Sequence, residues 1–512
     1  MESTTIASSA ESIVADVQAL RAAFRSGVTR DFAARRQQLV QLRRLIDENL
    51  GEISDALWKD MHKNPIETKV CEVGLVMMEI QEHLDFLEEW SQPERVGTNI
   101  GNLPGQSYIY KESLGVVSII GTWNYPIQLT LTPLVGALSA GNTVLLRLPG
   151  SDTCVHTTQV LAKLVAKYMD NRFVRTVSGG VEASKIMLEQ KFDLIFCTGG
   201  EFIGKIVAEA AAKHLTPTIL ELGGKSPCIV DETCDLTIAA RRIAWGGFMN
   251  AGQTCVRPDY IMVSKKIGDK LVAEIEKELL TFFGKDPQKS DSYCRIVNER
   301  SYTRVSGLLA NDTKHVTCGG AVDAEDRFIA PTLLNFKTDF ASFDKSAVMS
   351  QEIFGPLLPI YYYDTLDEAI AYVNDHPKPL ALYVFTTNSK NREKVLTETT
   401  SGGVSVNDTI VHLSNPNLPF GGVGASGMGA YHGKHSFDAF THKKGVQFKY
   451  NILDAPQRYM PYNKSAEFVL AVMLAPIPHR YIKTAKYAAF ALLFAVIGML
   501  VKRNGSRFPA LP

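Results

Sequence analysis

Short, largely apolar runs alternate with helical patterns between Gly115 and Glu221, and this alternation constrains the fold more than any other feature. The runs are GVVSIIG, NTVLLRLPG, FVRTVSGG, FDLIFCTGG and TPTILELGG, and TLTPLVGALSAG and VHTTQVLAKLVAKYM are two of the helical patterns between them. Strands buried on both faces of a sheet read as apolar runs. Strands joined through helices form right-handed crossovers. We therefore predict an α/β fold with a parallel sheet.

The rest of the chain divides around this stretch. The first 95 residues carry apolar side chains at three- and four-residue spacing, which predicts helices, and SYIYKES alternates like a short strand. A second alternation of strands and helices runs from about Ser226 to Asn407. Since 512 residues exceed one ordinary core, we predict two or three domains.

Charge and cysteine content argue against several classes of protein. Lys+Arg and Asp+Glu both number 54, whereas nucleic-acid binders usually carry a basic excess, so no nucleic-acid partner is predicted. The eight cysteines form no CxxC pair and no zinc-finger spacing, so no metal site is predicted. The N-terminus has no basic region followed by an apolar run, which argues against a secretion signal and for reduced thiols in the cytosol.

The C-terminus carries an apolar segment, Tyr487 to Val501, between Lys486 and the pair Lys502 and Arg503. As a helix its 15 residues span about 22 Å, while the hydrocarbon core of a bilayer is about 30 Å thick. Flanking lysines and local thinning can cover part of that difference. We predict a C-terminal membrane anchor, with a buried terminal helix as the alternative.

Three motifs follow apolar strands, at the edge of a parallel sheet where ligands bind. GTWNYP places Asn124 there, and its side-chain N–H groups suit a developing oxyanion. CTGGEFIG precedes a helix, so its glycines and the helix N-terminus suit a pyrophosphate. ELGGKSP places Glu221 at a strand end, where a partly desolvated carboxylate can act as a general base.

Cys255 lies 34 residues after Glu221, in the stretch NAGQTCVRPDY. If it converges with Asn124 and Glu221, the three supply a nucleophile, an oxyanion donor and a base. Spacing alone does not establish convergence. From the residues alone a buried structural cysteine, a turn asparagine and an exposed carboxylate remain the alternatives.

These motifs resemble the aldehyde dehydrogenase superfamily. GTWNYP, CTGGEFIG, ELGGKSP, GQTCVRPDY, EIFGP and LPFGGVGASGMGAYHGKHSFDAFTHKK occur in the order of the family and near its spacing, over roughly Asp16 to Lys449. YHGKHSF is similar to the class 3 branch, and the apolar tail is similar to its membrane-anchored fatty aldehyde members.

The resemblance implies a role for each matched residue. Cys255 attacks the aldehyde, the Asn124 side chain and the Cys255 backbone N–H hold the oxyanion, and Glu221 activates the water that hydrolyses the thioester. NAD or NADP accepts the hydride. Glu352 binds the nicotinamide ribose, Phe354 packs near the ring, and Gly199 to Gly204 cover the pyrophosphate. The implied cofactor-binding residues are Thr122, Trp123, Arg147, Gly199, Gly200, Gly204, Glu352 and Phe354.

The resemblance also implies an architecture. A Rossmann-type NAD(P)-binding domain comprises residues 1–95 and 115–222, and an α/β catalytic domain comprises residues 223–424. A small β oligomerisation element comprises residues 96–114 and 425–450. A connector, 451–486, leads to the anchor, 487–501. A homodimer is implied, with the catalytic domain in the cytosol and the anchor in the endoplasmic reticulum or the mitochondrial outer membrane.

Three positions depart from the family pattern. The glutamate that usually binds the adenine ribose is replaced by Gly150, and Arg147 can attract a 2′-phosphate, so we predict that NADP is accepted at least as well as in typical relatives. Arg257 stands where relatives often have a small residue. It either lowers the thiol pKa of Cys255 or, the favoured interpretation, faces solvent. Gly200 replaces a polar residue, which puts the phosphate contacts in doubt.

Three functions follow as hypotheses. The first is NAD(P)-dependent oxidation of medium- or long-chain aldehydes at a membrane surface. The second is an acylating dehydrogenase that passes the thioester to coenzyme A, against which the presence of Glu221 argues. The third is an inactive membrane-bound scaffold, against which Cys255, Glu221 and Asn124 together argue.

Overall fold

The computed structural model describes residues 7–150, 153–452 and 456–474 of the chain. These residues belong to two compact units. One comprises residues up to Gln92 together with Lys111–Lys443, and the other comprises Pro93–Tyr110 together with the residues from Lys444 onward. The finer boundaries predicted from the sequence remain predictions.

The first 95 residues are helical, as predicted, up to a short strand at Glu94. The helices are α1 Ala10–Ser26, α2 Phe32–Asp47, α3 Leu50–Met61, α4 Pro65–Glu67, α5 Leu75–Ser91, α6 Gln128–Ser139, α7 Val155–Tyr168, α8 Val181–Leu188, α9 Glu201–Ala212, α10 Leu236–Phe248, α11 Gly268–Phe283, α12 Glu299–Asn311, α13 Phe340–Asp344, α14 Leu366–Asn374, α15 Ser389–Glu398, α16 Gly433–Ala439 and α17 Lys464–Leu474.

Besides short 3-10 helices and a π-helical stretch at Thr68–Gly74, the described residues form strands. They are β1 Glu94–Val96, β2 Gln106–Ser113, β3 Val116–Ile120, β4 Thr143–Arg147, β5 Val174–Val177, β6 Leu194–Thr198, β7 Thr218–Glu221, β8 Pro227–Val230, β9 Tyr260–Ser264, β10 Val316–Cys318, β11 Val322–Asp323, β12 Phe328–Ile329, β13 Thr332–Lys337, β14 Leu357–Tyr363, β15 Ala381–Phe385, β16 Gly403–Val406, β17 Gly427–Met428 and β18 Thr441–Phe448.

A six-stranded sheet confirms the parallel α/β arrangement predicted for Gly115 to Glu221. Its order is β17-β7-β6-β3-β4-β5, in which β17 pairs antiparallel to β7 and the other neighbours pair in parallel. Strands β4 and β6 are buried along their whole length, which explains their apolar sequences. The strand order reverses at β3, which pairs with β4 on one side and β6 on the other. Such a reversal leaves a crevice for ligands at the carboxyl ends of the strands.

A seven-stranded sheet contains the second predicted alternation. Its order is β10-β13-β14-β9-β8-β15-β16, and all neighbours except β10 and β13 pair in parallel. Strands β8, β9, β14 and β15 are fully buried. Helices α10, α11, α12 and α14 connect strands of this sheet, so it has the same α/β construction as the first.

The second unit contributes to a three-stranded sheet with the order β1-β2-β18. Strand β2 contains the predicted SYIYKES, and it pairs antiparallel with β1. The anchor predicted at 487–501 lies outside the described residues. Within the described residues, no helix combines the length and apolar character needed to cross a membrane.

Candidate active site

A cavity of about 700 Å³ opens at the carboxyl ends of β3, β6 and β7, where the strand order reverses. Loops from both large sheets of the first unit complete it. Its lining includes nine of the eleven site residues predicted from the sequence: Thr122, Trp123, Asn124, Gly199, Gly200, Glu221, Cys255, Glu352 and Phe354. The predicted nucleophile, base and oxyanion donor therefore converge.

The nucleophile loop, residues 249–257, follows α10 through a turn with unusual backbone angles. Asn250, Ala251 and Gly252 have φ values of 53°, 50° and 72°. Left-handed angles at non-glycine residues cost about 1–3 kcal/mol each and recur at functional sites. Gly252 is required by space as well, since a Cβ there would lie 2.3 Å from the carbonyl oxygen of Gly355. This turn delivers Cys255 to the cavity.

The Cys255 thiol is half-buried. Burial raises its pKa to about 12, and the nearby carboxylates of Glu352 and Glu221 add to the shift. A negative charge on either carboxylate disfavours ionisation of the thiol. In the protein alone the thiol therefore keeps its proton near neutral pH, and its activation requires a base or a positive charge.

Asn124 is buried beside the nucleophile loop, and its Nδ2 donates to the carbonyl oxygen of Gln253 at 3.1 Å. An amide nitrogen carries two N–H groups, and the second has no acceptor among the described residues. The backbone oxygen of Asn124 accepts from Lys63 Nζ and from Asn250 Nδ2, both at 2.9 Å. The donor is thus held from its backbone and from its side chain.

A buried ion pair lies behind Asn124. Lys63 Nζ is 2.5 Å from Glu72 Oε1, and both side chains are fully buried. The other oxygen of Glu72 accepts the N–H groups of Ile127 and Gln128, each at 3.1 Å, where α6 begins. One carboxylate therefore connects Lys63 to the start of α6, on either side of the loop that carries Asn124.

Glu221 is the last residue of β7, and its side chain is buried. Neither carboxylate oxygen has a hydrogen-bond partner among the described residues. Burial without compensating donors raises its pKa well above the ordinary value. Such a carboxylate is a stronger base than an exposed one, and it lies in the same cavity as Cys255.

The segment 351–357, which contains EIFGP, lines the cavity through Gln351, Glu352 and Phe354. The carboxylate of Glu352 lies against Gly223, where a Cβ would meet Oε2 at 2.3 Å. Burial and the charge of Asp259 raise the pKa of Glu352 to about 8. Phe354 has a left-handed φ of 46°, and its ring meets the edge of Trp123 with centroids 5.4 Å apart.

The glycine-containing turn after β6 suits a dinucleotide. Gly200 is the N-cap of the 12-residue helix α9, and no side chain caps the first N–H groups of that helix. A Cβ at Gly200 would meet nothing within 4 Å, so the approach is open. Thr198 Oγ1 is buried at this edge with no partner among the described residues. Open N–H groups at a helix N-terminus and an unpartnered hydroxyl fit a pyrophosphate.

Sequence comparison places these features in a known family. The model of the aldehyde dehydrogenase family matches residues 3–446. This chain belongs to the aldehyde dehydrogenase family. It is an enzyme that oxidises aldehydes, and the superfamily resemblance is confirmed.

Individual aldehyde dehydrogenases agree with the family match. The chain is 48% identical to the dimeric NADP-preferring aldehyde dehydrogenase of Rattus norvegicus over 86% of this chain and 95% of the relative. It is 42% identical to the 4,4′-diaponeurosporen-aldehyde dehydrogenase of Staphylococcus aureus over 88% and 97%. It is 46% identical to aldehyde dehydrogenase family 3 member A2 of Pongo abelii over 85% and 88%, in line with the class 3 motif. A solved substrate-bound structure of Staphylococcus aureus AldH is 41% identical, covers 90% of this chain and 99% of that one, and has a TM-score of 0.86.

Two predicted cofactor residues of this aldehyde dehydrogenase do not line the cavity. Gly204 lies within α9, where a Cβ would meet Leu222 at 2.7 Å, so it serves helix packing. Arg147 is buried at the end of β4 and donates to the Ser184 hydroxyl at 3.1 Å and to the carbonyl oxygens of Leu148 and Gly179. The guanidinium is directed at the protein itself, so a contact of Arg147 with a 2′-phosphate stays a prediction.

The solvent-facing interpretation of Arg257 is wrong. Only 2% of the surface of Arg257 is accessible to solvent, and its two terminal nitrogens donate to the carbonyl oxygens of Gly355 and Leu357. The other interpretation, that Arg257 lowers the thiol pKa of Cys255, stays a prediction, since the rise of that pKa comes from burial and from Glu352 and Glu221. The sequence signal for both was proximity in the chain, which does not determine where a long side chain points.

Several site residues were missed by sequence reasoning. Lys225 and Arg304 line the cavity, while Lys63 and Glu72 lie behind it. Lys225 follows Glu221 within ELGGKSP, so the motif itself contained that signal. The others are separated from the motifs, and the spacing of the sequence gives no indication of their contacts.

Proposed function

We propose that this enzyme oxidises medium- or long-chain aliphatic aldehydes to carboxylic acids, with NAD or NADP as the oxidant, through a covalent intermediate on Cys255. The observation that carries the proposal is the convergence of Cys255, Glu221 and Asn124 on one cavity, beside a helix N-terminus that fits a pyrophosphate.

The thiol proton passes to solvent water, Cys255 Sγ bonds to the aldehyde carbon, and the π electrons of the carbonyl group move to its oxygen. The carbonyl oxygen then carries negative charge, and the second N–H of Asn124 is placed to stabilise it. Because Lys63 and Asn250 fix the backbone of Asn124, the donor is positioned before substrate arrives. The thiohemiacetal therefore forms against a preorganised donor.

The nicotinamide cofactor, when bound, supplies the hydride acceptor and a positive charge. Residues suited to hold it are Glu352, Phe354 and Trp123 near the nicotinamide, with Thr198 and the N-terminus of α9 at the pyrophosphate. The NADP preference in the name of the rat relative and the absence of a carboxylate at Gly150 support acceptance of NADP.

Hydrolysis of the resulting thioester requires a base for water. Glu221 suits this role because it lines the cavity with Cys255 and its pKa is raised by burial. A carboxylate in this position favours water over coenzyme A as the acceptor of the acyl group, and thus favours a carboxylic acid as the product.

Apolar substrate, membrane attachment and dimerisation are parts of the same proposal. The substrate named for the Staphylococcus aureus relative is a diaponeurosporen-aldehyde, and the rat relative is named as dimeric. The apolar run at 487–501 suits an enzyme whose substrate partitions into a bilayer. We propose a homodimer with a cytosolic catalytic domain, anchored to the endoplasmic reticulum or the mitochondrial outer membrane.

One assay tests the chemistry. Absorbance at the reduced-nicotinamide band is followed with hexadecanal and with acetaldehyde, each with and without coenzyme A. The wild type is compared with Cys255→Ser and with Cys318→Ser, a half-buried cysteine of β10. We expect turnover that does not depend on coenzyme A, a higher kcat/KM for hexadecanal than for acetaldehyde, and loss of turnover in Cys255→Ser but not in Cys318→Ser.

A different result would contradict each part of the proposal. Turnover that survives Cys255→Ser contradicts the covalent mechanism, and strict dependence on coenzyme A contradicts hydrolysis. Equal kcat/KM for both aldehydes contradicts the chain-length preference. Flotation with lipid vesicles, comparing the full chain with one that ends at Lys486, tests the anchor. Light scattering of the purified enzyme tests the dimer.

A further inference from the structure

Arg257 connects the nucleophile loop to the segment 351–357. Its Nη1 donates to the carbonyl oxygen of Gly355 at 2.6 Å, and its Nη2 donates to that of Leu357 at 2.8 Å. The planar guanidinium presents its donors in a fixed fork, so two simultaneous bonds define the position of both carbonyl groups. The two loops are also in close contact through Gly252 and Gly355.

The carbonyl groups held by Arg257 follow Phe354, whose left-handed backbone is unfavourable for a bulky residue. Such a conformation persists only where the surroundings hold it. Three other groups contact the start of the segment. Arg304 Nη2 donates to the carbonyl oxygen of Ile353 at 2.7 Å, Lys225 Nζ donates to that of Gln351 at 3.0 Å, and Asp259 accepts the N–H of Ile353 at 3.1 Å.

Arg257 differs from these three because it holds the end of the segment and because it belongs to the loop that carries Cys255. Asp259 is 3.8 Å from its Nη1, which partly compensates the buried charge. Burying an arginine is costly unless its donors are satisfied. Both terminal nitrogens of Arg257 are satisfied, while its Nε has no partner among the described residues. Two bonds to main-chain oxygens are a fixed structural connection rather than a contact with the thiol.

We propose that Arg257 is a positioning residue, which fixes the segment 351–357 against the nucleophile loop and thereby keeps Glu352 and Phe354 facing the cofactor cavity. The inference deepens the proposed function, because it rests on a nicotinamide nucleotide binding in that cavity. Arg257 then determines cofactor affinity and leaves the acidity of Cys255 unchanged.

Hydrogen exchange on the full-length enzyme without cofactor tests the positioning directly. We compare the wild type with Arg257→Met and with Arg35→Met, a matched control. Arg35 is also buried and also donates to main-chain oxygens, those of Thr29 and Ser139, but it does not line the cavity. In Arg257→Met, amides of 351–357 should exchange about tenfold faster, because local opening becomes easier. Arg35→Met should leave them unchanged.

Calorimetric titration with NADP⁺ and NAD⁺ tests the consequence. We expect the Kd of Arg257→Met to rise about tenfold, with Arg35→Met like the wild type and with the pH midpoint of Cys255 alkylation unmoved. Arg257→Lys keeps the charge without the fork and should weaken binding by a smaller factor. This variant decides the question if Arg257→Met does not fold.

The outcomes separate this inference from the proposed function. Unchanged exchange in 351–357 overturns the positioning role, as does a shifted alkylation midpoint with unchanged Kd. If the wild type binds neither nucleotide, the proposed cofactor is wrong, while the exchange experiment still decides whether Arg257 holds the segment.

Discussion

Glu221 and Glu352 line the same cavity, but Glu221 is buried whereas Glu352 is half-buried, and their surroundings differ. Glu221 ends a strand and has no hydrogen-bond partner among the described residues. Glu352 lies on a loop, against the backbone of Gly223 and near the cations Lys225 and Arg304. Both pKa values are raised by burial, but the nearby cations and a backbone N–H limit the shift of Glu352 to about 8.

This difference indicates that the two carboxyl groups have different functions. A carboxylate without partners keeps its oxygens available for a proton, which suits a general base. A carboxylate beside cations and backbone donors is oriented, which suits a binding group such as one for ribose hydroxyls. The environment separates the roles of two chemically identical side chains.

Glu221→Gln should have the largest effect on turnover, since it removes the base while keeping the size of the side chain. We expect steady-state kcat to fall about 10³-fold, within the usual range for loss of a general base. The first turnover should still release reduced cofactor, because Glu221 acts in hydrolysis of the thioester. Rapid-mixing absorbance measurements detect that burst.

Glu209→Gln, on the exposed face of α9, is the control and should retain wild-type kinetics. If Glu221→Gln slows the burst as much as the steady state, Glu221 acts before the acyl enzyme forms. The assignment of Glu221 to hydrolysis of the thioester is then wrong.

The pH dependence of the free energy of unfolding is the next test, because it reports the raised pKa of Glu352. A folded-state pKa raised from 4.5 to about 8 means that the protein loses stability as pH rises, since the unfolded carboxyl ionises first. The shift corresponds to at most about 5 kcal/mol, and partial solvent exposure reduces the expected value to about 3 kcal/mol.

Glu352→Gln has no proton to lose, so relative to the wild type it should gain stability between pH 5 and 8. Denaturant unfolding at both values measures the difference. The exposed control Glu209→Gln should show none. A Glu352→Gln variant that is equally destabilised at both pH values would mean that the carboxylate is ionised in the fold.

Above about pH 8, where Glu352 is ionised, Glu352→Gln should weaken cofactor binding by a smaller amount, about tenfold in Kd. A neutral amide is a poorer acceptor for ribose hydroxyls than a carboxylate. Titration calorimetry measures this, with Glu221→Gln as the matched variant. Comparable weakening in both variants would remove the distinction between binding group and base.

These contrasts also show what the sequence could reveal. Cys255, Glu221 and Asn124 follow buried strands or lie in short recognisable turns, so pattern and family resemblance identify them. Lys63 lies in the turn after α3 and Glu72 lies in the helical stretch Thr68–Gly74, both before the first sheet. Their contact with the loop of Asn124 depends on tertiary packing. Arg257 donates to main-chain oxygens about 100 residues away, and any residue type supplies such oxygens. The alternating pattern predicted the parallel sheet, but it gave no direction for these side chains.

The smallest expected effect on cofactor use is that of substituting Arg147. This residue is predicted to lie near the adenosine end of the cofactor, away from Glu352. Since its guanidinium donates to Ser184 and to main-chain oxygens, Arg147→Met should lower stability while changing the NADP-to-NAD ratio of kcat/KM by less than about threefold. Gly150→Glu is the matched variant, because it restores a carboxylate that repels a 2′-phosphate, and it should shift the ratio toward NAD. A large loss of NADP use in Arg147→Met would show that the guanidinium reorients toward the phosphate. A strong NAD preference in the wild type would contradict the predicted acceptance of NADP altogether.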